Sequence, residues 1–149
     1  HEPPQAAMAS LNTHDTVLFG GYWDGLDVEI MRKLDLIDDD DRTNRHEERA
    51  RVMKALCAYL RQTGEADGDD SPELALAGTL RHLAAGAAQQ LMISLEDLWL
   101  ERQPQNVPGT SADWNNWRRR AQLTLDEMLS EPTILERLRE IDRLRRTGQ

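Results

Sequence analysis

One cysteine stands among the 149 residues, and aromatics make up only 5% of them. A single thiol, Cys57, excludes an intramolecular disulfide framework and fits a reducing compartment. No apolar run reaches membrane-spanning length and no signal-peptide pattern is present, so no membrane partner is expected and the chain reads as cytoplasmic. Basic charge is scarce as well: 18 Lys and Arg against 27 Asp and Glu leave a net charge of -9. Nucleic-acid binding needs clustered cations to meet phosphates, so no nucleic-acid partner is expected. The arginines that do cluster, Arg118 to Arg120 and Arg143 to Arg146, have carboxylates nearby and read as a solvated or ion-paired face. The length suits one domain with a core of its own. The first residue is His1 rather than methionine, which reads as a processed chain or an excerpt from a longer one.

What is present centres on Asn12-Thr13-His14-Asp15, which sets an imidazole beside a carboxylate ahead of Gly20-Gly21-Tyr22-Trp23. Thr16 to Phe19 either continues as a strand or begins a loop that turns at Gly20-Gly21. From Trp23 the pattern turns helical, with Val28, Met31 and Leu34 on one face and Ile30 at its edge. Asp38 to Asp41 reads as a solvated loop or a helix start. A helix over about 43–63 follows, carrying Val52, Met53, Leu56, Tyr59 and Leu60 at helical spacing, with Cys57 on it as a buried structural thiol. Gly64 to Asp70 is a polar loop.

Ser71 and Pro72 have the chemistry of an N-cap and a first helical position, opening a helix that runs to about Gln90. His82 on it reads as a core or edge residue, since no second His or Cys stands at metal spacing. Leu91 to Leu95 is the best strand candidate, with Glu96-Asp97 at its end. Pro108-Gly109 is turn chemistry, and Asp113 to Arg120 is dense in tryptophan, amide and guanidinium groups. Thr124 to Glu127 has capping-box spacing. A last helix begins near Pro132, with Ile134, Leu135, Leu138, Ile141 and Leu144 in one stripe.

Taken singly, these blocks decide little. A His beside an Asp is common, and on a strand the two side chains point to opposite faces. A hydrogen-bonded polar pair in a turn reads equally well. Trp114-Asn115-Asn116-Trp117-Arg118 suits a sugar platform, though a tryptophan pair is more often core. Their joint order says more. Thr-His-Asp, Gly-Tyr-Trp, Leu-Glu-Asp-Leu, Gln-Asn-Val-Pro-Gly-Thr and Asn-Trp-Arg-Arg-Arg together resemble the C-terminal part of the 4-α-glucanotransferases. These are the amylomaltases or disproportionating enzymes of glycoside hydrolase family 77. Their usual text is close to Thr-His-Asp-Leu-Pro-Thr-Leu-Ala-Gly-Tyr-Trp, Leu-Glu-Asp-Leu, Asn-Ile-Pro-Gly-Thr and Asn-Trp-Arg-Arg, and the resemblance spans roughly Ala9 to Leu129.

The resemblance implies the C-terminal part of a (β/α)8 barrel, mainly α in this chain with about two short strands. A complete barrel needs roughly 250 residues. It implies one segment over 1–149: the end of strand seven and the following helix over 9–37, a helical region over 38–90, then the last strand, sugar-binding loop and C-terminal helices over 91–149. Family members act on α-1,4-glucans by a retaining double displacement with a nucleophile and an acid/base about 5–5.5 Å apart. A third carboxylate stabilises the distorted sugar. That third role carries over to Asp15, and His14 carries over as a partner for sugar hydroxyls. Asn106, Pro108 and Gly109 carry over as the sugar-facing loop, with Asn116 and Trp117 added to it.

No metal or organic cofactor is implied. The partners implied are a maltodextrin substrate and the missing N-terminal part of the barrel, with an oligomer as one way to cover the exposed face. The nucleophile and acid/base blocks of the family are absent here, so the chain alone is expected to be inactive. Thr16 to Phe19 also departs from the family's Leu-Pro-Thr-Leu, which puts the local loop shape in question. Two other readings stand beside this one: an independent α-helical packing module, and a non-catalytic glucan-binding domain resting on Trp114, Trp117 and Asn106.

Overall fold

A computed structural model describes residues 6–111 and 114–147, so His1 and, in the tryptophan-rich stretch, Asp113 lie outside the described residues. Within them the chain is mainly helical, with two three-residue strands, β1 (Met8–Ser10) and β2 (Gln90–Met92). The strands pair in parallel, Met8 against Gln90 and Ser10 against Met92. Parallel strands need a crossover rather than a hairpin. The crossover here consists of α1 (Phe19–Trp23), α2 (Leu26–Lys33), α3 (Asp39–Gln62) and α4 (Pro72–Ala85). A 3₁₀ helix, Leu95–Trp99, follows β2, and α5 (Leu125–Ser130) and α6 (Pro132–Thr147) complete the described elements.

Local chemistry sets most helix starts. Asp38 accepts the Asp41 N–H at 2.8 Å, and Asp39 to Asp41 fill the first turn of α3, where the helix dipole favours carboxylates. The acidic run is thus a helix start. Ser71 caps α4, with Pro72 at its first position. Thr124 and Glu127 form a reciprocal capping box on α5.

Three expectations need correction. The predicted turn at Gly20-Gly21 is instead part of α1. A Cβ on Gly20 would lie 2.7 Å from the Leu100 carbonyl oxygen, and one on Gly21 would strike the Arg102 carbonyl. These glycines allow two backbones to approach closely. Next, α4 stops at Ala85, short of Gln90. Gly86 is extended, and Arg145 of α6 donates to the carbonyls of Ala84 and Gly86 at 3.3 Å and of Ala88 and Gln89 at 2.8 Å. One guanidinium takes up acceptors that a helix end leaves open. Finally, the strand predicted over Leu91 to Leu95 ends at Met92, and Glu96 and Asp97 lie in the 3₁₀ helix.

The core joins α3, α4, the 3₁₀ helix and α6. Leu60, Leu76, Leu80, Leu98, Ile134 and Ile141 are buried there, with Phe19 and Cys57 beside them. On α6 the predicted stripe is real but narrower, since Leu138 stays 37% exposed. His82 sits at the edge, its ring edge-on to Tyr59 with centroids 5.4 Å apart. Between α2 and α3, the buried Arg49 holds Asp27 through two hydrogen bonds of 2.9 and 2.7 Å and covers the Tyr22 ring. No helix among the described residues is long and apolar enough to cross a membrane.

Candidate functional site

The segment leaving β1 folds into a tight turn. Thr16 N–H donates to the Thr13 carbonyl at 3.1 Å, and its hydroxyl donates to the same carbonyl at 2.9 Å. Thr13 N–H in turn donates to that hydroxyl at 3.1 Å. Because this is a turn and not a strand, the alternation that would separate neighbouring side chains does not operate. His14 and Asp15 face the same way, with the imidazole Nε2 3.2 Å from Oδ2 of the carboxylate. Both are well exposed.

The turn is fixed from beneath. Asn12 donates from Nδ2 to Asp97 Oδ2 at 2.6 Å and accepts from the Ser94 hydroxyl at 2.6 Å. The other Asp97 oxygen accepts the Phe19 N–H at 2.7 Å, at the start of α1. One carboxylate therefore pins both ends of the 12–18 turn to the 3₁₀ helix. Asp97 is only 1% exposed, and burial raises its pKa above the usual carboxylate value, against the pull of the Phe19 N–H and the Asn12 amide.

A second loop meets the turn from the opposite side. Asn106 donates from Nδ2 to Asp15 Oδ1 at 2.8 Å. That loop is shaped by Asn116, whose Oδ1 accepts the Val107 N–H at 2.9 Å while Nδ2 donates to the Thr110 hydroxyl at 2.9 Å. Gly109 takes a left-handed φ of 83°, which only glycine adopts freely. Trp117 also takes a left-handed φ of 59°, and its N–H donates to the Gln105 carbonyl at 2.8 Å. The indole then stands 61% exposed, its ring 5.8 Å from that of His14 and tilted by 46°. The base of the loop is held by the buried Glu101, which accepts from the N–H groups of Arg102 and Gln103 at 2.8 and 3.0 Å and from Arg119 Nη1 at 2.9 Å.

Of the residues singled out from the sequence, His14, Asp15, Asn106 and Trp117 are thus brought together around one carboxylate. Asp15, Asn106 and Pro108 line a groove of about 800 Å³ whose far wall is the apolar side of α2 and α3, including Met31, Leu34 and Met53. Gly109 lies on the exposed outer bend of the loop. Asn116 stands apart, because both ends of its amide are used inside the loop. Its part is to shape the loop. Asn12, Ser94, Asp97 and Glu101 were missed as contributors. The available signal was a carboxylate within the apolar Leu95-to-Trp99 run, where an acid is buried only if its oxygens are taken up. Among the described residues, no group of three or more His, Cys, Asp or Glu side chains gathers to hold a metal ion.

Arranged this way, the site presents a solvent-facing carboxylate oriented by an amide donor, an imidazole able to exchange a hydrogen bond, and an indole face for an apolar or sugar surface. The family profile described as 4-alpha-glucanotransferase, glycoside hydrolase family 77, matches residues 1–125. The 4-alpha-glucanotransferases of Mycobacterium bovis and Mycobacterium tuberculosis are 34% identical over 114 residues, which covers 74% of this chain and 16% of theirs. That of Haemophilus influenzae is 24% identical over 123 residues, 76% of this chain and 18% of its own. The chain therefore spans less than a fifth of the length of these relatives.

Proposed function

This chain belongs to glycoside hydrolase family 77, the 4-alpha-glucanotransferases, and on that premise we propose that it forms part of a retaining enzyme transferring α-1,4-glucan segments between maltodextrins. Asp15 is the carboxylate that stabilises the distorted, oxocarbenium-like sugar. His14 engages the hydroxyls of that sugar, Asn106 orients the Asp15 carboxylate, and Trp117 offers its indole as a stacking face. Pro108 and Gly109 shape the sugar-facing loop. Residues 9–37 correspond to the seventh strand end and the following helix, 38–90 to a helical region, and 91–149 to the last strand, loop and closing helices of a (β/α)8 barrel.

In the reaction, a nucleophilic carboxylate attacks the anomeric carbon while an acid protonates the leaving glycosidic oxygen. A second glucan hydroxyl then replaces water in opening the glucosyl-enzyme, with the same residue now acting as base. Both groups belong to the part of the barrel preceding this segment. Asp15 contributes through charge placed where positive charge develops in the transition state.

The observation that carries this reading is the Asp15 carboxylate set between the Asn106 amide at 2.8 Å and the His14 imidazole, with the Trp117 indole alongside. A second reading, a stand-alone helical packing or glucan-binding module, draws on the closed core around Leu60, Leu76 and Leu98. Two measurements test the proposal. The isolated chain incubated with maltotriose yields no longer or shorter maltodextrins; their appearance refutes the division of the active site. In a full-length protein carrying this segment, Asp15→Asn lowers kcat by about 10²–10³, the scale of removing one preorganised electrostatic group. Unchanged kcat refutes the role of Asp15.

A further inference from the structure

On the other side of the 103–119 loop, away from His14 and Asp15, a second concavity of about 590 Å³ opens against the C-terminal end of α2. Lys33, Gln103, Trp114, Asn115, Arg118 and Arg119 line it. Its chemistry is unlike that of the apolar groove, combining cations, two amides and one indole. In a chain of net charge -9, most arginines are taken up by carboxylates or carbonyls. Arg102 pairs with Asp24, Arg49 with Asp27 and Arg61 with Asp70. Lys33 and Arg118 are exceptions. Among the described residues neither meets a carboxylate; the Lys33 ammonium rests 4.9 Å from the Trp114 ring centroid instead. A cation–π contact at an exposed position is worth about 0.5–1 kcal/mol and leaves the ammonium donors free.

Arg119 completes the wall. Its Nη1 pairs with Glu101 and its Nη2 donates to the Gln103 carbonyl at 2.6 Å, which fixes its plane. Its buried Nε–H has no hydrogen-bond partner among the described residues. Glu101 pairs with Arg119, so among the described residues Lys33 and Arg118 are the pocket cations without a carboxylate partner.

We infer that this concavity binds a phosphate monoester carried on a hydroxylated sugar. A phosphate monoester bears a charge of about -1.5 to -2 at neutral pH and three acceptor oxygens, which matches two unpaired cations. The Arg118 guanidinium suits a bidentate grip on such oxygens, and the Lys33 ammonium acts as a point charge. The amides of Gln103 and Asn115 provide both donors and acceptors for hydroxyls. The site is separate from the Asp15 site and does not depend on the glucanotransferase reading. The same phosphate chemistry could come from a free sugar phosphate or from a phosphate-bearing glucan.

Titration calorimetry of the 149-residue chain against glucose 6-phosphate, glucose, inorganic phosphate and a phosphorylated maltodextrin tests this. Glucose 6-phosphate binds more tightly than either glucose or phosphate. The double variant Lys33→Gln, Arg118→Gln, at two exposed positions, weakens it by at least about tenfold. Added salt weakens it in the same direction. If the phosphorylated maltodextrin binds more tightly still, the source is the glucan; if it binds less tightly, a free sugar phosphate is the ligand, and both outcomes support the pocket chemistry. Glucose 6-phosphate binding no better than glucose, phosphate binding as well as the sugar phosphate, or full affinity in the double variant each overturns the inference.

Discussion

Replacing Asp97 by alanine removes the acceptor on which the 12–18 turn depends. Two donors lose their partner: the buried Phe19 N–H, bonded at 2.7 Å, and the half-buried Asn12 amide, bonded at 2.6 Å. An orphaned buried donor costs about 1–3 kcal/mol. The Phe19 N–H bears most of that, because water reaches it least, while Asn12 recovers part from solvent. Removing the carboxylate also relieves its own desolvation, which burial already registers as a raised pKa. The net expectation is a loss of about 2–3 kcal/mol, or roughly 4–12 °C in Tm for a chain of this size.

Urea and thermal unfolding followed by circular dichroism measure this directly. Asp97→Asn is the informative partner, because the substituted amide keeps an acceptor for the Phe19 N–H but turns a donor toward Asn12. If the Asn12 amide turns over, the Ser94 hydroxyl can accept from it, so the loss falls to about 1 kcal/mol. An alanine variant within about 0.5 kcal/mol of the parent would refute the account, since that is the range of substitutions away from any such feature. The pH dependence has a definite sign. With its pKa raised in the folded state, Asp97 holds its proton more tightly there than in the unfolded chain. Its favourable contribution is present in full below the unfolded carboxyl value of about 3.9 and is lost as pH rises through the folded value. The asparagine variant therefore gains ground on the parent as pH rises from the unfolded carboxyl value through the raised folded one. A gap that stays constant or moves the other way would sink the desolvation argument.

Two further perturbations follow from the packing. Gly21→Ala sets a methyl against the Arg102 carbonyl, which is backbone and cannot swing aside. It should cost about 1–3 kcal/mol in urea unfolding, and a neutral result would mean that α1 does not lie against the 100–102 segment. Arg145→Met keeps the aliphatic stem but frees the carbonyls of Ala84, Gly86, Ala88 and Gln89. Amide hydrogen exchange should then rise at the end of α4 and along β2, with an overall loss of about 1–2 kcal/mol; unchanged protection there would show that water serves those carbonyls as well.

Features closed within a few residues were legible in the sequence. The Ser71 and Thr124 caps each find their partner three residues on, so composition alone sets them. Features closed across the chain were not. Asp97 meets Asn12 across 85 positions, the end of α4 is decided by an arginine on α6, and the Gly20-Gly21 pair answers to the backbone of Leu100 to Arg102. At the candidate site, block order pointed to two loops that meet at the Asp15–Asn106 pair but could not assign tasks within them. Asn115 and Asn116 are the same residue side by side; only the fold turns Asn116 inward as a strut and leaves Asn115 facing the cationic pocket. The left-handed backbone of Trp117 likewise aims its indole at His14, while Trp114, three positions earlier, goes to Lys33. One loop therefore serves two faces of opposite character, and its shape is fixed by Asn116 from within and by Glu101 at its base. It follows that the position of Asp15 is not a property of the Thr-His-Asp motif. It depends on Asp97 beneath the turn and Asn116 within the facing loop, so loosening either should displace the Asp15–Asn106 pair without touching either residue.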